Sequence, residues 1–193
     1  MTTRITSLIA KSTTSILRLA LLSSLVAAAP LFADDRNATN HSAHDQPASG
    51  TLVRNVREGT KQYINVNNAT AAGYAVLLGC VAGPDHGAMG IHYANSTLLA
   101  NLTLDPSQPQ ALIYEPNGGK MTLVGVEFIL DSASWLAANN NTPPVLDGQV
   151  FTFVDAPNRF NIPSFFELHV WAWRDNPQGS FVDWNNAVTC ERQ

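Results

Sequence analysis

Hydrophobic positions along the chain follow two different periods. Val53, Val56, Thr60, Tyr63 and Ile64 recur at three- and four-residue spacing, with Arg54, Arg57, Glu58 and Lys61 between them. That period predicts an amphipathic helix over 52–67. Asn67-Asn68 can end it, or Ala69 to Ala72 can add a turn before Gly73. Downstream the period shortens. Tyr74 to Leu78 runs apolar up to Cys80 and predicts a buried strand. A glycine-rich loop is expected over 81–90. It lacks the G-x-x-x-x-G-K-[ST] spacing that cradles nucleotide phosphates. Ala111–Glu115 and Met121–Leu130 flank Pro116-Asn117-Gly118-Gly119-Lys120, the strongest hairpin signal present. Asp131 or Ser132 can cap a short helix through Leu136. Gln149–Val154 predicts another strand.

The last patterned stretch is Glu167-Leu168-His169-Val170-Trp171-Ala172-Trp173. As a strand it puts Glu167, His169, Trp171 and Trp173 on one face and Leu168, Val170 and Ala172 on the other. Packing alone does not call for a face built from a carboxylate, an imidazole and two indoles. Together the elements predict an α+β fold over 51–193. An N-terminal helix packs on a mainly antiparallel, bent sheet or small β-barrel, stapled by one disulfide.

Before residue 51 the composition changes. Arg4, Lys11 and Arg18 precede a short apolar core, Leu19 to Ala29, and no acidic residue occurs before Asp34. This order predicts a secretory signal peptide over 1–33, cut after Ala33 or Ala29. Ser23 and Ser24 interrupt an apolar run already short for a membrane span, so no stable membrane insertion is expected after cleavage. Residues 34–50 are polar and predict a disordered leader carrying His41 and His44. Removing 33 of the 193 residues leaves 160, enough for one domain with a core. The signal takes three of the 11 basic residues and none of the 15 acidic ones, leaving eight against 15 and a formal charge of −7. An acidic chain without a basic patch is a poor candidate for nucleic acid or an anionic membrane, so no nucleic-acid partner is expected and a small molecule or a metal ion remains open. Cys80 and Cys190 form an even pair with no C-x-x-C spacing, which in a periplasmic or secreted protein predicts a disulfide.

Charged groups are scarce, so those inside apolar strands matter. A buried carboxylate is costly unless it is paired or bound to a cation. His92 and His169, with Glu115 or Glu127, make a ligand set suited to a divalent transition metal. His86, in the glycine-rich segment, would be a mobile fourth ligand or an acid/base group. Tyr93, Trp171 and Trp173 would wall the ligand site. A second function class fits the same residues: a sugar cleft with stacking indoles, where Glu115 and Glu127 act on a glycosidic bond. A third is an interaction module in which the Glu/His pairs are only internal couples. There is no G-x-S-x-G elbow for serine chemistry, and bridged cysteines leave no thiol nucleophile.

Several blocks occur together: Gly87-Ala88-Met89-Gly90-x-His92-Tyr93-x-Asn95, Leu112-Ile113-Tyr114-Glu115-Pro116, Leu123-Val124-Gly125-Val126-Glu127, Leu168-His169-Val170-Trp171-x-Trp173-x-Asp175-Asn176-Pro177, and Asp183-Trp184-Asn185 before Cys190. As a set they resemble a family of exported bacterial proteins with no established activity. The resemblance covers about residues 51–190 and implies an extracytoplasmic single domain in a bacterium. His86 stands where the family pattern has a small residue, which ranks it below His92 and His169.

Overall fold

A computed structural model describes residues 48–83 and 85–192. The expected signal peptide and nearly all of the polar leader lie outside them. Helix α1 spans Ala48–Thr60, a 3-10 turn follows over Lys61–Ile64, and α2 spans Val66–Ala71. The single helix expected over 52–67 therefore starts earlier and breaks. Thr60 Oγ1 donates back to the Val56 carbonyl at 2.7 Å, a bond that competes with helix propagation. Asn65 then restarts the helix by accepting from Asn67 N–H at 3.1 Å. Gly73, at φ +91, follows the end of α2.

Six strands form one strongly curled antiparallel sheet, a half-barrel, in the order β1-β2-β3-β4-β8-β7. They are β1 (Tyr74–Gly83), β2 (Gly87–Asn95), β3 (Ala111–Asn117), β4 (Lys120–Asp131), β7 (Thr152–Val154) and β8 (Phe165–Val170). Helices α3 (Ser96–Leu99) and α4 (Ser132–Ala138) and a small pair, β5 (Val145–Leu146) with β6 (Gln149–Val150), complete the described residues. Leu112, Tyr114, Val126, Phe128, Leu168 and Val170 bury one sheet face against Leu52 and Val56 of α1. Each such side chain contributes roughly 1.5–3 kcal/mol on burial. The opposite face is left for other work.

The hairpin between β3 and β4 turns on Gly118 and Gly119, at φ +57 and +79, the backbone a two-residue type I′ turn requires. Asp131 caps α4 by accepting from Ser134 N–H at 2.8 Å. Cys80 and Cys190 are bridged with their Cα atoms 5.7 Å apart, tying the C-terminal segment to β1. Among the described residues no helix is long and apolar enough to cross a membrane.

Four further expectations are corrected. The apolar run from Tyr74 is an edge strand, with Val76 57% and Leu77 52% exposed, because β1 pairs only with β2. The expected loop over 81–90 is a tight hairpin instead. Within it, Gly90 of β2, at φ +102, lets β2 close on β3, since a Cβ there would sit 2.8 Å from the Tyr114 carbonyl oxygen. The strand expected over 149–154 is interrupted at Phe151, whose N–H turns to the Pro144 carbonyl while its ring enters the core. The strand over 167–173 ends at Val170. Beyond it Trp171 N–H bonds Ser180 O, and the N–H groups of Trp173 and Arg174 both reach Val124 O.

A β-bulge between Ile113 and Tyr114 sets the faces of β4. Ile113 pairs with Gly125 and Tyr114 with Leu123, leaving Val124 as the extra residue. Leu123 and Val126 therefore share the helix side, while Val124 joins Ala88, Ile113, Trp171 and Val188 on the other. A Cβ on Gly125 would lie 2.9 Å from the Val170 carbonyl oxygen and 3.2 Å from Cε3 of Trp171. Gly125→Ala is expected to cost about 1–3 kcal/mol, as overpacking does. Urea unfolding measures it, and an unchanged midpoint would mean the strands yield freely.

Candidate metal centre

The sheet face away from α1 carries the polar cluster. Glu127 of β4 stands directly across from His169 of β8, and Ile129 across from Glu167. Glu127, His169 and Glu167 are therefore close neighbours on one face. His92 comes from β2, two strands from β4. His92 pairs with Ile113 of β3, while Glu127 pairs with Ala111 two residues along, so the imidazole reaches Glu127 diagonally across β3. His92 Nε2 lies 3.3 Å from Glu127 Oε2.

His92 and His169 have ring centroids 6.0 Å apart and perpendicular planes. Trp171 stacks on His169 at 6.2 Å and is itself fixed by donating Nε1–H to the Val182 carbonyl at 2.6 Å. His92, Glu127, Glu167 and His169 are all buried. His92 Nδ1 and both His169 nitrogens have no hydrogen-bond partner among the described residues. His92, Glu127 and His169 each offer one ligand atom, all within 4.8 Å of one another. Ligands at about 2.1 Å from a shared ion lie at most about 4.2 Å apart, so small side-chain rotations close the set. A second set, Glu167, His169 and Asp183, meets the same limit and shares His169. Asp183 Oδ1 approaches His169 Nδ1 at 3.8 Å, close for a charge but too far for a hydrogen bond.

Protonation follows from burial and proximity. Burial drives the Glu127 pKa up, but the neighbouring His169 and the hydrogen bond and charge of His92 outweigh it and hold the carboxyl below its ordinary range. Burial, then the charges of Glu127 and Asp183, push Glu167 up to about 9. Burial lowers His169 despite the nearby carboxylates. An ionised Glu127 beside a neutral His169 is the donor state a metal requires.

A pH dependence follows for the metal-free protein. Because the folded pKa of Glu167 lies above its unfolded value, its stabilising contribution is complete below about pH 4.5 and is lost as pH rises toward 9. Glutamine mimics the protonated carboxyl and does not titrate. Glu167→Gln is therefore expected to gain stability over the parent progressively from pH 5 to pH 9. Thermal melts with chelator at pH 5, 7 and 9 check this, and parallel curves would count against the shift.

The structure thus brings together His92, Glu127 and His169, with Trp171 packed behind His169. Glu115 stays out. It shares the sheet face but sits four residues along β3 from Ala111, held by Arg174 Nη2 at 2.6 Å and Thr189 N–H at 3.0 Å. Tyr93 points the other way and packs on Tyr114 at 5.0 Å in the helix-side core. Strand alternation already forbids adjacent His92 and Tyr93 from sharing a site. Trp173 lies beyond the end of β8 on the helix side, donating Nε1–H to Thr60 Oγ1 at 3.1 Å under the Arg57 guanidinium. His86 is exposed in the β1–β2 turn, its ring 6.4 Å from Trp184. Two members lie outside the expected ligand set. Glu167 was legible from its two-residue spacing to His169, whereas Asp183 carries no spacing signal because a loop delivers it.

Next to the centre is a cavity of about 220 Å³ that His92 and Glu127 help to line. The chain matches no protein-family model, and neither a curated protein nor a solved structure gives a significant match.

Proposed function

We propose that this is an exported protein that binds one divalent transition-metal ion through His92, Glu127 and His169, with Glu167 and Asp183 as supporting carboxylates. The observation that carries it is the set of three unpartnered imidazole nitrogens buried around a carboxylate. An unsatisfied buried polar atom costs about 1–3 kcal/mol, so three in one cluster are a large expense without a cation. Two imidazoles and a carboxylate suit zinc or ferrous iron and leave coordination positions open. The sugar reading has less support. Trp171 is buried, and Glu115, which that reading pairs with Glu127 on a glycosidic bond, is held instead by Arg174 and Thr189.

Export and the resemblance to exported bacterial proteins belong to the same proposal, supported by the disulfide, which persists in oxidising compartments. Calorimetric titration of chelator-stripped protein with Zn(II) and Co(II) tests the metal reading. One ion bound per chain is expected, and no uptake of either ion overturns it. A mature product in the periplasmic or culture fraction, with the mass left by cleavage after Ala33 or Ala29, tests export.

A further inference from the structure

We infer that the cavity beside the centre takes a small, mainly apolar monocarboxylate, its carboxylate on the metal and its hydrocarbon part among Leu78, Met89, Leu99, Ile129 and Phe165. This rests on the metal reading above. Every residue lining the cavity is apolar except His92 and Glu127. A polar head inside it therefore has only the centre to bind. The cavity is built for this position. A bulge between Val76 and Leu78 breaks the β1–β2 register and brings both Leu77 and Leu78 into the wall, with Leu78 paired to His92. Phe160 and Ile162, from the segment between β7 and β8, form another part of it.

Charge selects the head group. Glu127 alone would repel an anion in so apolar a space. A divalent ion held by two imidazoles and one carboxylate keeps one positive charge and an open position, which a single carboxylate satisfies. Size selects the tail. A dry apolar cavity of about 150 Å³ accepts benzene, so 220 Å³ suits an aromatic acid or a chain of about eight carbons.

The test uses the Co(II)-loaded protein, with the cobalt visible bands as readout. Octanoate is expected to bind at least about tenfold more tightly than acetate, because its methylenes leave water for the cavity. Leu99→Trp, which fills the cavity away from the ligands, is expected to bring octanoate down to the acetate level. If that variant does not fold, Leu78→Phe carries the same comparison. Equal binding of octanoate and acetate overturns the cavity assignment and leaves the metal reading standing. So does a chain-length gain that survives the filled cavity. Failure to take up cobalt at all overturns both.

Discussion

His169→Ala is expected to weaken divalent-metal binding by more than about 100-fold. Removing a residue that only orients a ligand costs 10–100-fold, and losing a ligand costs more. Neither ring nitrogen of His169 has a partner among the described residues, and the side chain belongs to both candidate donor sets. The parent should gain thermal stability with added Zn(II), about 2.7 kcal/mol at a free concentration one hundred times the dissociation constant. The variant should gain almost none. His92→Ala should behave similarly, whereas Glu115→Gln and His86→Ala should bind as the parent does. Glu115 is engaged by Arg174 and Thr189, and His86 sits in an exposed turn. Competition against a chromogenic chelator measures all four. Full affinity in His169→Ala would remove this residue from the centre.

The second large effect is on stability. Cys80 and Cys190 are 110 residues apart, so their bridge closes most of the folded chain into one loop. The loop-closure argument assigns such a bridge about 4–5 kcal/mol. For a domain of this size each kcal/mol moves the melting temperature by roughly 2–4 °C. Cys190→Ser, or reduction of the parent, should therefore lower it by roughly 8–20 °C. The proposed metal ligands are on β2, β4 and β8 rather than on the bridged segments. Zn(II) stoichiometry well below the melting range should stay unchanged. A melting temperature that does not respond to reductant would mean the bridge constrains little, and lost metal binding in the folded variant would mean the C-terminal segment holds the centre.

The residues of the centre were only partly legible. Strand alternation put Glu167 and His169 on one face, and the scarcity of charge marked Glu127 as needing a partner. Nothing in the spacing separated Glu127 from Glu115, because both lie in strands of one hairpin. The difference is register: Glu127 falls opposite His169, while Glu115 falls opposite Thr122. Trp173 shares the two-residue period of His169 but lies beyond Val170, where the backbone leaves the strand and the alternation no longer applies.

By itself the sequence determined several of the local elements and the staple. The helical period before Gly73, the Gly118-Gly119 hairpin, the Asp131 cap, the pairing of the two cysteines and the α+β class all follow from interactions within a few residues or from counting. Only the tertiary structure decided the strand order, the bulges and which of the acidic groups meet the two imidazoles. Those depend on cross-strand register, contacts between residues tens of positions apart that no local period encodes.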